Sequence, residues 1–267
     1  MTSSTAPLLT ALRAGEPQLM LGIRMSRSTD IVRIAKSTGY HCVLIDLEHS
    51  AMTVETAVAL AACAGDIGLT ALVRVPEREY GVIGRLLDGG AHGIIAPRVE
   101  TASEARSIVD ACRFPPRGHR SQLTQMPQRG MVPIAARELN PLVDAATIVK
   151  ILIETPAGAS NAQEIAAVDG VDIIGLGAND FTSELGIPGD YEDPRVAAAV
   201  SAVAAAGRAH DKPAMVGGVP LGSTLERFFA LGMAPLFLAG VDSDLMHRAA
   251  ADRSAATREW YADRRGR

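Results

Sequence analysis

The sequence predicts a single (β/α)8 barrel, and three observations carry that expectation. Short runs rich in aliphatic residues alternate with helix-forming stretches along the chain. The runs are continuously apolar rather than alternating, as strands covered on both faces are. Eight of each kind fit into 267 residues, close to the ~250 typical of such a barrel. A doubly wound open sheet is the alternative that the same alternation permits. No linker interrupts the pattern, so residues 1–267 read as one domain.

The elements follow in order. The expected strands are Leu19–Ile23, Cys42–Asp46, Ala71–Val75, Gly93–Ala96, Ile148–Glu154, Val171–Gly175, Ala214–Val216 and Leu236–Ala239, each bounded by Gly, Pro or polar residues. Between them, Asp30–Thr38 puts Ile31, Ile34 and Ala35 on one helical face. Thr53–Ala64 starts on a threonine, with Glu55 in the first turn, where the helix dipole favours an acid. Tyr80–Leu87 is a short helix. Thr101–Cys112 opens with TASE, in which Glu104 can reach back to the Thr101 amide. Ala157–Ala167, Asp193–Ala209, Ser223–Leu231 and Asp242–Trp260 complete the helices. The stretch 113–133, RFPPRGHRSQLTQMPQRGMVP, holds four Pro and two Gly. So long an irregular segment in a compact domain reads as a lid or an intersubunit element.

Composition narrows the function. The formal charge of −4 argues against nucleic acid or an anionic membrane as partner. No apolar run approaches the ~20 residues of a membrane span, and MTSSTAPLLTALRAG lacks the features of a signal peptide. Cys42, Cys63 and Cys112 are odd in number and match no zinc or redox spacing, so they read as reduced thiols in a soluble, cytoplasmic protein.

A barrel of this kind places its chemistry at the carboxyl ends of its strands. The second strand ends in VLIDLEHS, which supplies Asp46, Glu48 and His49. The third supplies Arg74, the fifth Glu154, and the sixth Asn179 and Asp180. Glu154 and Asp180 lie on adjacent strand ends, where two bare carboxylates repel unless one is protonated or a cation sits between them. An all-oxygen pair suits Mg²⁺, Mn²⁺ or a similar hard ion; helix-cap or loop charges are the bland alternative. Arg74 ends an apolar strand and needs a partner, for which Asp46 and Glu48 are at hand. His49 alone among the six histidines follows a strand directly with acids beside it. A metal ion, an arginine and a histidine base together describe enolate chemistry on a 2-oxo acid. The loop GLGAND (175–180) offers free amides for a carboxylate, although one Gly-x-Gly is a weak signal. VGGVP and LAGVD fall at the usual phosphate site of such a barrel, after its last two strands, with tight turns as the favoured reading.

Seven segments, VLIDLEH, ALVRVP, RLLDGGAHGIIAPRV, CRFPPRGHR, LIETPAG, IGLGANDFTSELG and AGVDSDLMHRA, occur in the order found in the HpcH/HpaI aldolase family. The chain resembles these metal-dependent pyruvate aldolases from about Gly22 to about Ala250. The resemblance implies an α/β TIM barrel of the phosphoenolpyruvate/pyruvate type. It implies reversible cleavage of a 4-hydroxy-2-oxo acid to pyruvate and an aldehyde, with Mg²⁺, Mn²⁺ or Co²⁺ as cofactor. Glu154 and Asp180 are similar to the metal ligands, Arg74 to the arginine that stabilises the enolate, and His49 to the catalytic base. Asp88, otherwise a helix-end charge, matches the acid that reaches that histidine from a neighbouring subunit. Asp46 and Glu48 resemble acids that orient Arg74 and water. Gly177, Ala178 and Asn179 fall where amides hold the substrate carboxylate. A homo-hexamer is implied, a trimer of dimers or dimer of trimers, with the C-terminal helix packed on a neighbour.

Three segments depart from the family pattern. RSQL (Arg120–Leu123) stands where R-G-x-G is usual, Asn179 stands in the metal loop where a small residue is usual, and VGGVP differs from many members. These departures leave open a condensing or decarboxylating enzyme acting on oxaloacetate, or a CoA-ester lyase. A barrel that binds a ligand without catalysis is the remaining alternative.

Overall fold

The structure is a computed structural model and describes residues 6–265; residues 1–5 and 266–267, the ends of the single domain expected over 1–267, lie outside it. Eight strands form one parallel sheet: β1 (Gln18–Ile23), β2 (Cys42–Asp46), β3 (Thr70–Arg74), β4 (Gly93–Ala96), β5 (Ile148–Ile153), β6 (Ile173–Gly177), β7 (Ala214–Gly217) and β8 (Leu236–Val241). Their order is β7-β6-β5-β4-β3-β2-β1-β8, so β8 returns to β1. The cylinder is closed except for a ladder between β7 and β8, where the Ala234 amide donates to the Ala214 carbonyl at 2.5 Å. The expected (β/α)8 barrel is the observed fold, and the open-sheet alternative falls.

Side chains alternate across each strand. Val43, Ile45, Val73, Ile151 and Ile174 face outward into the layer shared with the helices. Met20, Leu44, Leu72, Leu152 and Met215 face inward. At the amino end, α1 (Pro7–Arg13) inserts Leu8, Leu9 and Leu12 into this inner cluster and plugs the barrel floor.

The outer helices are α2 (Asp30–Ser37), α3 (Val54–Asp66), α4 (Ile83–Asp88), α5 (Ala102–Cys112), α6 (Ala136–Ala146), α7 (Pro156–Ser160), α8 (Ala162–Ala167), α9 (Ala178–Glu184), α10 (Pro194–Ala209), α11 (Ser223–Ala230) and α12 (Asp242–Arg265). Local chemistry explains their starts. The Thr53 hydroxyl accepts the Thr56 amide, and Thr101 and Glu104 form the expected capping box. The expected helix 157–167 is divided at Asn161, whose side-chain amide donates to the Glu100 carbonyl at 2.8 Å. Three helices were not expected: α1, α6 and α9. Pro141 inside α6 argues against a helix there, yet Leu139 and Val143 are held by packing with Phe114 and Met126. The strands also shift by a residue or two; β6 starts at Ile173 rather than Val171 and runs on to Gly177.

In α12, every residue from Asp244 to Arg264 is exposed, so this helix leaves the barrel rather than lying against it. No helix among the described residues is long and apolar enough to cross a membrane.

Candidate active site

The carboxyl ends of the strands surround a cavity of about 290 Å³. Asp46 and Arg74 are in register across β2 and β3, so both point into the barrel from neighbouring positions. The Asp46 carboxylate accepts from Arg74 Nε (3.0 Å) and Nη2 (2.5 Å), from Arg24 Nε (2.7 Å), and from the amides of Glu48 (3.1 Å) and His49 (3.3 Å). Burial would raise its pKa; the hydrogen bonds from Arg74, the charge of that arginine and the Arg24 hydrogen bond outweigh burial and hold it at about 2. The same contacts shape the turn after β2. Glu48 takes the remaining Arg74 nitrogen, Nη1, at 2.9 Å, and lies 3.7 Å from His49 Nε2. Burial lifts the pKa of Glu48, against the lowering charge of Arg74.

Glu154 follows the last residue of β5 and is 3% exposed. Its Oε2 accepts the amide of Arg98 at 2.8 Å. Arg98 itself is held in the left-handed region, at φ +52°. A Cβ at Gly177 would come within 2.5 Å of Glu154 Oε1, so β6 admits the glutamate only because glycine stands there. Burial first, then the charge of Asp180, pushes the Glu154 pKa up to about 7. Asp180 sits in the first turn of α9, which begins directly after β6.

The sequence-predicted residues converge in large part. His49, Arg74, Glu154, Gly177, Ala178, Asn179 and Asp180 all line the cavity. Asp46 and Glu48 stand behind Arg74. Asp88 does not line the cavity: at the end of α4 its carboxylate accepts Arg120 Nη2 at 2.7 Å, while the Arg120 guanidinium stacks on Phe114. Within the RSQL segment, Arg120 is therefore buried, whereas Ser121, Gln122 and Leu123 are exposed. Asn179 accepts the Tyr191 hydroxyl at 2.5 Å and packs against Gly218, a turn residue at φ +85°. The VGGVP turn thus forms cavity wall as well as a tight turn.

Sequence reasoning missed three contributors. Arg24 follows β1 directly, and the strand-end rule applied there would have found it. Tyr191 carries no local signal. Lys150 lies in the interior, where only the register reveals its direction.

No group of three or more His, Cys, Asp or Glu side chains able to hold a metal ion occurs among the described residues. The fitting donors are the two carboxylates of Glu154 and Asp180. Two carboxylates with room for water and substrate oxygens suit a hard divalent ion. Burial first, and then the facing charge of Asp180, makes the ionised Glu154 carboxylate costly without a cation beside it.

The family model described as HpcH/HpaI aldolase/citrate lyase matches residues 23–248. The 4-hydroxy-4-methyl-2-oxoglutarate aldolase tasA of Hapsidospora irregularis is 38% identical over 248 residues, which cover 91% of this chain and 92% of that protein. The 4-hydroxy-2-oxo-heptane-1,7-dioate aldolase of Salmonella arizonae is 34% identical over 250 residues, 90% of each chain. Among solved structures, an HpcH/HpaI aldolase from Desulfitobacterium hafniense superposes with a TM-score of 0.84 at 26% identity, covering 93% of this chain and 96% of that one. The citrate synthase SbnG gives 0.82 at 26% identity, covering 98% and 100%.

Proposed function

The chain belongs to the HpcH/HpaI aldolase/citrate lyase family, and from that premise we propose a divalent-metal-dependent aldolase that reversibly cleaves a 4-hydroxy-2-oxo acid to pyruvate and an aldehyde. It is an enzyme, an aldolase in a family of lyases. The carrying observation is the convergence of Glu154, Asp180, Arg74 and His49 on one cavity.

Each residue has a part that follows from its position. Glu154 and Asp180 would hold Mg²⁺, Mn²⁺ or Co²⁺, which supplies Lewis-acid polarisation of the 2-oxo acid. The amides at Gly177, Ala178 and Asn179 would take the substrate carboxylate at the start of α9. Arg74, fixed in direction by Asp46 and Glu48, presents its charge where the enolate oxygen develops. His49, half exposed at the rim beside Glu48, accepts the proton of the 4-hydroxyl in cleavage and returns it in condensation. Asp88 would meet the histidine of a neighbouring subunit, so a homo-hexamer, with α12 seated on a neighbour, is part of this reading. The exposed length of α12 supports it. The chain would act as one domain in the cytoplasm.

The test is solvent deuterium exchange into the methyl group of pyruvate, followed by NMR with and without Mn²⁺. Exchange that needs metal and disappears in Glu154→Ala is expected. Full exchange in a chelated preparation would overturn the metal reading, and no exchange with any metal would overturn pyruvate as donor. A second reading keeps the enolate and changes the carbon partner to oxaloacetate; the likeness to SbnG and the RSQL segment favour it.

A further inference from the structure

We propose that Lys150 makes the inner end of the cavity a second anion subsite, which takes the carboxylate of a dianionic substrate that the mouth does not hold. The proposal rests on the enolate reading above and adds the residue that selects the substrate.

Lys150 faces the barrel interior from β5, on the same side as Leu152 and Glu154, and is 2% exposed. It lines the cavity, yet its side chain makes no hydrogen bond or ion pair among the described residues. The other deeply buried cations are all engaged: Arg74 by Asp46 and Glu48, Arg113 by Asp172 and three carbonyls, Arg120 by Asp88. An unpaired buried ammonium is strongly destabilising, and an apolar residue of the same size would pack better there. Burial pulls the Lys150 pKa down to about 8; Cys42 and Glu154 oppose that fall and the charge of Arg74 adds to it.

The surroundings indicate the ligand. Met20, Leu44, Leu152 and Met215 form apolar walls that fit a short carbon chain, and among the described residues Lys150 is the one charged group beside them at the inner end. A compact ammonium with three donors suits a terminal carboxylate. Lys150 and Glu154 are four positions apart, about 13 Å along an extended strand. The lysine stem covers part of that interval, and the remainder is on the scale of a short diacid. The second carboxylate can come from the carbonyl acceptor or from the donor, as in oxaloacetate.

Two rate ratios separate these sources. The acceptor arm compares kcat/KM for succinic semialdehyde with that for butanal, using pyruvate as donor. The donor arm compares oxaloacetate decarboxylation with deuterium exchange into pyruvate. Wild type should favour the carboxylated member of at least one pair by tenfold or more, and Lys150→Met should reduce that same ratio by at least tenfold. The arm that responds names the source. Ratios taken within one preparation do not depend on how much protein is folded. A wild type with no preference in either arm, or a variant with both ratios unchanged, overturns the subsite while leaving the enolate reading intact. Absence of metal-dependent exchange in wild type overturns the enolate reading itself, and this one with it.

Discussion

Arg74 and Arg113 are almost equally buried, at 7% and 2% exposure, but lie at opposite ends of the barrel. Arg113, at the amino end, donates to the carbonyls of Asp144, Thr147 and Gly170 and to the Asp172 carboxylate. It joins the end of α5 to the approaches of β5 and β6. Among the described residues Arg74 has only carboxylates as partners, and it faces the cavity. Their partners titrate in opposite senses. Burial raises the pKa of Asp172 in spite of Arg113, whereas the donors around Asp46 hold it at about 2. A buried arginine that binds backbone carbonyls staples the fold. One that collects acids beside a void holds charge ready for a ligand.

The largest effect should come from the carboxylates that this charge faces. Glu154→Ala is expected to lower kcat/KM by roughly 10³–10⁴-fold, since it removes one of two anchors for the ion. Its thermal stability without metal should equal or exceed that of wild type, because a buried carboxylate with a raised pKa is lost. Steady-state kinetics and calorimetry check both halves. A large loss of stability would move Glu154 to the scaffold side of the comparison.

Arg113→Met should do the reverse. Leaving Asp172 and three carbonyls without their donor should cost about 3–5 kcal/mol of stability, read by denaturant unfolding. The protein that remains folded should turn over normally. Arg74→Lys is expected to lower kcat about a hundredfold while the fold persists. One ammonium cannot cover the three carboxylate oxygens that the guanidinium spans.

The titrations sharpen the contrast on a smaller scale. Asp46 has a folded pKa of about 2, below its ordinary value of 3.8. Its contribution is therefore complete above pH ~4 and is lost as pH falls toward 2, by roughly 2 kcal/mol. Asp172, raised, contributes in the opposite sense: its share is present in acid and is lost as pH rises through its folded pKa. Acid unfolding of Arg74→Lys, in which the donors to Asp46 are weakened, should begin at higher pH than in wild type. Coincident acid limbs would show that the mouth pair does not carry this term.

The mouth was legible because apolar strands that end in ionisable residues are conspicuous: VLIDLEHS, ALVRVP and LIETPAG announced Asp46, Glu48, His49, Arg74 and Glu154. The barrel was legible for a related reason, since eight uninterrupted apolar runs require two covered faces. Other features depend on contacts that sequence does not display. Arg24 has no acid beside it in the chain; its partner Asp46 comes 22 residues later. Lys150 looks like a surface charge until the register turns it inward. Pro141 argues against α6, and only packing on Phe114 and Met126 rescues that helix. Asp88 has no local signal beyond a helix-end charge, paired within the chain with Arg120; only the family resemblance makes it a catalytic candidate.

The smallest expected effect tests where the mouth ends. Tyr191 lies outside the cavity but donates its hydroxyl to Asn179, which opens α9 beside the amides assigned to the substrate carboxylate. Tyr191→Phe keeps the ring and removes one partly exposed hydrogen bond, worth about 0.5–1.5 kcal/mol. If that bond fixes the start of α9 for substrate, KM for pyruvate rises by roughly twofold to tenfold with kcat little changed. Asn179→Ala, which deletes the acceptor, then raises KM no further when combined with it. If it is only a surface contact, KM stays put and any loss appears in Tm. The two variants would then add independently, and the functional region would stop at Asp180.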